Sequence, residues 1–242
     1  MHVKVAIIGG TGIGSRLSKA GGKKVHIPTR FGLCSGLVTS DELLLVSRHA
    51  GGHRVPPHMV NYRAQAEGLR QIGVEYCLAS AAVGSLRADW LPGKLIVCSD
   101  FLEITNRNET RFVDEVVHQG FSNPFDKVAT NALLLASEGG AEISGTYVCA
   151  NGPRYETPAE IRMFREWGGD VVGMTAGTEA IAMKEAGIGY GLLAIVTNLG
   201  AGLSEIEPNH QEVVDQMEIS GALAVQILKE AAKQIVQRKD SK

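Results

Sequence analysis

Short apolar runs at residues 3–8, 43–47, 76–83, 94–99, 146–149, 171–174 and 190–197 alternate with stretches of helical spacing at 60–72, 127–137, 158–167 and 178–186. Several runs are apolar almost throughout instead of at every second position, the pattern of strands covered on both faces. Alternation of this kind predicts an α/β layered fold, a central mixed β-sheet flanked by helices. Two helix starts are explicit. Thr157-Pro158-Ala159-Glu160 sets an N-cap threonine, proline at the first helical position and glutamate at the third, a capping box. Asn209 with Glu212 repeats that logic before a last helix. That helix keeps Val213, Met217, Ala224, Leu228, Ala231 and Ile235 on one stripe and ends in a polar tail from Arg238 to Lys242. Gly139-Gly140 reads as a loop. Neither a repeat nor a linker interrupts the chain, so residues 1–242 read as one domain.

Composition narrows the function classes. Lys plus Arg total 24 against 26 for Asp plus Glu, a formal net charge of -2, with no basic or acidic block. Nucleic acid and membrane surfaces are therefore not expected partners. The longest apolar run near the start, residues 5–8, is too short for a signal-peptide core or a membrane span. Cys34, Cys77, Cys98 and Cys149 are widely spaced without a CxxC pair. They read as buried free thiols in a reducing, cytoplasmic compartment, not as a zinc site. Glycine is in excess, at 29 residues, and its clusters mark tight backbone turns.

Six constellations can carry chemistry. Gly9-Gly10-Thr11-Gly12-Ile13-Gly14 follows the first strand, where glycines let backbone N–H groups approach an anion. It is not a dinucleotide fingerprint, because Ser15 takes the third glycine position and no acidic residue follows about 20 residues on. An anion loop with the Thr11 hydroxyl as donor, or a plain strand-to-loop turn, remains. Arg48-His49 ends the second strand, with His53, Arg54 and His58 after it. The arginine fork suits phosphate; a solvated basic loop is the alternative. The three histidines run through Gly51-Gly52 and Pro56-Pro57 instead of along a helix face, which argues against a metal. Residues 80–86 form a strand running into a small-residue turn, fit for a ligand or for tight packing. Tyr155 and Glu156, just before the capped helix, offer a stacking face and a carboxylate acceptor; Glu156 could equally be a dipole partner of that helix. Met174-Thr175 and Thr197-Asn198 place polar groups at strand ends, where α/β sheets hold ligands. Asn209-His210 opens the last helix, where a lone histidine is more often a surface residue.

Taken in order, the segments VAIIGGTGIG, SRHAGGHRVPPHMVNYRA, AAVGSLR, ANGPRYETPAEI, WGGDVVGMT, EA, VTN and NHQEVV resemble the purine nucleoside phosphorylase and methylthioadenosine phosphorylase family, from Val5 to about Val214. The resemblance implies a nucleoside phosphorylase-like fold. It also implies phosphorolysis, in which inorganic phosphate as co-substrate displaces the base from C1′ of a purine nucleoside to give free base and a pentose 1-phosphate. By similarity, Thr11, Arg48, His49, the Ala82 backbone and Thr175 hold phosphate. Tyr155, Glu156, Met174, Asn198 and His210 line the nucleoside pocket, and Arg48, His49 and Asn198 are the catalytic candidates. The family implies no metal and no organic cofactor. It also implies a homo-oligomer, a trimer or dimer of trimers, in which His118 of HQGFSNPF comes from a neighbouring subunit.

The chemistry fits those residue types. Positive charge develops on the sugar and negative charge on the leaving purine, so donors count where they strengthen in the transition state. Asn198 can donate to a 6-oxo group and accept from a protonated N7; adenine-preferring relatives carry Asp there. Glu156 can accept from the N1–H of hypoxanthine or guanine. Each mismatched buried polar group costs about 1–3 kcal/mol, which favours 6-oxopurines over adenine. The NHQEVV segment is similar to that of inosine and guanosine phosphorylases, whereas RHAGGH and the short N-terminus are similar to the methylthio-nucleoside branch, so methylthioinosine and methylthioadenosine compete as substrates. Three positions depart from the family pattern. Ala81 replaces Thr, Ser or Asn, Thr178 replaces a proline before Glu179, and Gly200-Ala201 lacks the second acidic residue of adenine-preferring relatives. A nicotinamide-dependent oxidoreductase and a catalytically weak nucleoside-binding module are the readings from other classes.

Overall fold

The computed structural model describes residues 3–19, 21–52, 54–205 and 207–238. His53 and the tail residues 239–242 singled out above lie outside the described residues. The elements run β1 (Val5–Gly9), α1 (Ile13–Ser18), β2 (Lys23–Thr29), β3 (Gly32–Val38), β4 (Leu43–Ser47), α2 (Tyr62–Gln71) and β5 (Tyr76–Ser85). They continue with β6 (Leu95–Glu103), α3 (Lys127–Ala136), β7 (Ala141–Cys149), α4 (Pro158–Glu166), β8 (Val171–Gly173), α5 (Ala176–Glu185), β9 (Gly189–Leu199) and α6 (His210–Gln237).

The strands join in the order β2-β3-β4-β1-β5-β8-β7-β6-β9, with a further pairing of β9 to β5. That extra pairing closes β5, β8, β7, β6 and β9 into a ring, with β1, β4 and the β2–β3 hairpin continuing outward from β5. The apolar runs explain the arrangement. β1 is buried at every position, and β9 at all but its ends, as strands need to be when helices cover both faces. β1 lies parallel to both β4 and β5, and β5 runs parallel to β9 with a bulge between Val83 and Gly84. The carboxyl ends of β1, β4, β5 and β9 therefore open on one side, where a parallel sheet holds ligands.

The caps formed as their chemistry requires. Thr157 and Glu160 make the reciprocal capping box of α4. Asn209 accepts from the Glu212 N–H at 3.1 Å to start α6, and Asp126 accepts from the Val128 and Ala129 N–H groups to start α3. The α6 stripe from Val213 to Ile235 is buried along its length. Each fully buried Leu or Ile there contributes about 1.5–3 kcal/mol. Helix α5 is buried on nearly every side, so it runs through the interior and carries the polar Thr178 and Glu179 inside with it.

Three differences from the sequence reading have physical reasons. The β2–β3 hairpin has no apolar run to announce it: Lys23, Lys24, His26 and Pro28 are exposed along an edge strand. It is held instead by Leu37 and Val38 pairing with Leu45 and Leu44 of β4, and by Cys34 packing where Gly68 of α2 has no side chain. The glycine loop is followed at once by a helix, α1, whose Ile13 and Leu17 are buried. Within residues 80–86 the strand runs on to Ser85 before the chain turns, because β5 continues alongside β9.

Candidate active site

A cavity of about 370 Å³ opens at those strand ends, within the size range of a small-molecule site. Thr11, Arg48, His49, Ala82, Thr175, Tyr155, Glu156, Met174, Asn198 and His210 all line it. Thr11 follows β1, Arg48 and His49 follow β4, and Ala82 lies within β5. Met174 and Thr175 lie between β8 and α5, Asn198 ends β9, and His210 opens α6. Residues separated by most of the chain thus converge because their elements end on the same side of one sheet.

Arg48 is the best-anchored group. It is 2% exposed. Its Nε and Nη2 donate to the two carboxylate oxygens of Glu179 at 2.7 and 2.6 Å, and its Nη1 donates to the Ser80 carbonyl at 2.8 Å. Burial alone would lower its pKa, but the charge and hydrogen bonds of Glu179 outweigh that and raise it. Gly10 is required beside it for space: a Cβ there would sit 2.6 Å from Nη1 of Arg48 and 2.9 Å from the Ser80 carbonyl oxygen. At Gly12 the requirement is conformational, with φ at 72°. The His49 ring is fixed by Nδ1 at 2.9 Å from the Val55 carbonyl, which places a proton on Nδ1. Thr175 makes no side-chain cap bond to α5, although its N–H is held at 3.2 Å by the Tyr147 hydroxyl.

The opposite wall has a different character. Glu156 and Tyr155 are half-buried, and burial pushes both their pKa values up. Arg154 lies beside them but is drawn to Glu160, with two hydrogen bonds at 2.6 and 2.8 Å. Glu156 has no ion pair among the described residues. The Asn198 amide is oriented by its neighbours: Oδ1 accepts from the Thr197 hydroxyl at 3.0 Å, and Nδ2 donates to the Leu199 carbonyl at 2.9 Å. Each atom keeps one further hydrogen-bonding capacity. Arg107 ties this wall together from behind. It donates to the Asn151 carbonyl at 2.6 Å and to the Met174 carbonyl at 2.9 Å.

His118 stands apart. It is exposed on the loop 104–126, and among the described residues nothing between Gly84 and Pro153 lines the cavity. Sequence reasoning assigned no site role to Arg54, Pro56, Pro57, Pro208 and Val213, which also line it. Pro208 and Val213 flank His210, a proximity legible in their spacing; of the backing residues, Glu179 stands in the sequence only as part of the EA segment, with no role assigned, and Arg107 carries no local signal. The three departures find their places. Ala81, Gly200 and Ala201 line the cavity and bring no polar side chain to it. Buried Thr178 donates to Glu103 at 3.2 Å and accepts from Arg107 at 3.3 Å, an exchange that a proline could not make. No cluster of three or more His, Cys, Asp or Glu residues suited to a metal occurs among the described residues. All four cysteines are free and buried, and no described helix is long and apolar enough to cross a membrane.

Comparison with known proteins follows the same lines. The Phosphorylase superfamily profile matches residues 4–233. The chain is 39% identical over 229 residues to a probable 6-oxopurine nucleoside phosphorylase of Moorella thermoacetica, covering 90% of this chain and 88% of that protein. It is 38% identical over 218 residues to a probable S-methyl-5'-thioinosine phosphorylase of Methanocaldococcus jannaschii, covering 88% and 85%. Among solved structures, methylthioadenosine phosphorylase from Schistosoma mansoni in complex with adenine superposes with a TM-score of 0.89 at 28% identity, covering 98% of this chain and 93% of that one. With its sequence matched almost from end to end, and its strand ends gathering the expected polar residues into one cavity, this chain belongs to the phosphorylase superfamily.

Proposed function

We propose that the protein is a pentosyltransferase that cleaves 6-oxopurine nucleosides, inosine and guanosine, with inorganic phosphate as co-substrate. The carrying observation is the shared cavity, with Arg48, His49, Thr11, Ala82 and Thr175 on one side and Tyr155, Glu156, Met174 and Asn198 on the other. A phosphate oxygen forms a bond to C1′ as the C1′–N9 bond breaks. The bonding pair leaves with the purine, and a proton from water is taken up at N7. Arg48 retains two N–H groups beyond those engaged by Glu179 and Ser80, and these face the oxyanion that stabilises the oxocarbenium-like sugar. Asn198 donates to O6 and accepts from N7–H. Glu156, anionic, accepts from N1–H. Pairing both edges this way discriminates against adenine by leaving its groups mismatched.

Methylthioinosine is a second substrate reading, and one observation favours it. Val213 lies one turn after His210 on α6 and lines the cavity with it, next to Pro208. The same wall thus offers a polar group for a 5′-hydroxyl and apolar surface for a methylthio group. The oligomer belongs to the proposal too: exposed His118 lies beside exposed Val113, Val116 and Val117, which supports a role for this loop between subunits of a trimer or a dimer of trimers. Buried thiols suit a cytoplasmic setting. The test is base release from inosine, guanosine, methylthioinosine and adenosine, with and without phosphate. The expected result is phosphate-dependent release from the 6-oxopurines above adenosine; equal release without phosphate would exclude a phosphorylase, and binding without turnover would leave a nucleoside-binding module.

A further inference from the structure

Arg48 owes its direction to a residue that does not line the cavity. Glu179 stands in the first turn of α5, fully buried, and receives Nε and Nη2 of Arg48 at 2.7 and 2.6 Å. Its Oε1 also accepts from the Tyr190 hydroxyl of β9 at 2.7 Å. Tyr190 is in turn stacked on Phe125, with ring centroids 5.8 Å apart. Four elements of the fold therefore converge on one guanidinium: the end of β4 that carries it, the Ser80 carbonyl of β5, α5 and β9. From these contacts we infer that Glu179, held by Tyr190, is a positioning residue for the oxyanion subsite, setting the plane of Arg48 so that its two uncommitted N–H groups face the cavity.

Two physical consequences follow. An arginine free to rotate loses side-chain entropy when it grips an anion, whereas one already held in a bidentate fork has lost it during folding. The pair is also neutral overall, so an entering dianion meets directed donors and not an uncompensated cation, which grips the oxyanion without trapping the phosphorylated product. A buried ion pair is by itself weak evidence of any role beyond structure. The functional consequence is specific: loss of Glu179 must weaken the phosphate end while sparing the base end. Helix α5 strengthens this coupling, because its N-cap residue Thr175 lines the cavity and the Glu179 N–H donates to the Thr175 carbonyl at 3.0 Å.

The inference rests on the proposed function in taking the oxyanion to be phosphate. It is tested with Glu179→Gln, which keeps the volume and loses the charge, and with Tyr190→Phe, which removes only one hydrogen bond to the carboxylate. For folded Glu179→Gln, judged by circular dichroism, the KM for phosphate should rise about tenfold or more, with the KM for inosine within about twofold of the parent. Tyr190→Phe should shift the phosphate KM in the same direction by about two- to fivefold. A parallel readout needs no turnover: the rise in thermal midpoint produced by inorganic phosphate alone should shrink in both variants. Equal changes in both KM values, or none, in folded Glu179→Gln overturns the inference. Should that variant not fold, an unchanged phosphate KM in Tyr190→Phe overturns it instead. A parent enzyme that is stabilised by phosphate but releases base without it sinks the proposed function alone, and the thermal shifts of the variants then decide the positioning role.

Discussion

At the Arg48 end of the cavity the polar side chains are anchored on strand ends and backed by buried partners, whereas the Glu156 end is built from a connection between β7 and α4 that is fastened at a distance by Arg107. Arg48 and Glu179 are 2% and 0% exposed, while Tyr155 and Glu156 remain half-buried. The difference matches the two ligands. On the proposed function, phosphate has one shape in every reaction and would be served by a prebuilt cradle, while the base and its sugar vary and would be met by side chains on a loop. Preorganisation is concentrated where the ligand is constant.

Three substitutions probe that contrast. The largest effect is expected from Asn198→Asp, which replaces the amide donor proposed to face O6 by an acceptor suited to a 6-amino group. The ratio of inosine to adenosine kcat/KM should fall about tenfold or more, and overall activity should fall as well because the bond from Nδ2 to the Leu199 carbonyl is lost. An unchanged ratio would remove Asn198 from base selection. Arg107→Met comes next. It keeps an unbranched apolar side chain but removes the guanidinium over the Tyr62 ring and releases the Asn151 and Met174 carbonyls. The nucleoside KM should rise about threefold to tenfold while the phosphate KM holds, the mirror image of Glu179→Gln. If both KM values move together, the two ends are not separable.

Glu156→Gln should give the smallest effect on the folded protein itself. Burial raises this carboxyl, so its ionisation opposes folding. The stability it contributes is complete below the ordinary carboxylate range and is lost as pH rises through the raised folded value. The unliganded variant should therefore unfold slightly later than the parent near neutral pH, by on the order of a degree, and gain nothing at about pH 4. A lower midpoint at neutral pH would mean that the carboxylate is stabilised by its surroundings, contrary to the geometry.

Much of the site was legible because its residues sit at the ends of apolar runs. Arg48-His49 after 43–47 and Thr197-Asn198 closing 190–197 stand out from their surroundings, and a polar residue ending a buried strand has to meet something. The Thr157 box was readable because capping is local, settled within four residues. The β2–β3 hairpin was not, because β2 is an edge strand whose alternate residues Val25, Ile27 and Thr29 are only partly buried and form no continuous apolar run.

From its sequence alone this chain determines which segments are strands covered on both faces, where its capped helices begin and which polar groups stand at the strand ends, since each of these depends on neighbours a few residues away. Only the tertiary structure decides that Glu179 meets Arg48 across 131 residues, that Arg107 joins the Asn151 and Met174 backbones behind the cavity, and that β9 returns to β5 to close the ring. Partners so distant in the chain are chosen by the packing of whole elements, and a buried charge finds its counterpart only after that packing has excluded water from both.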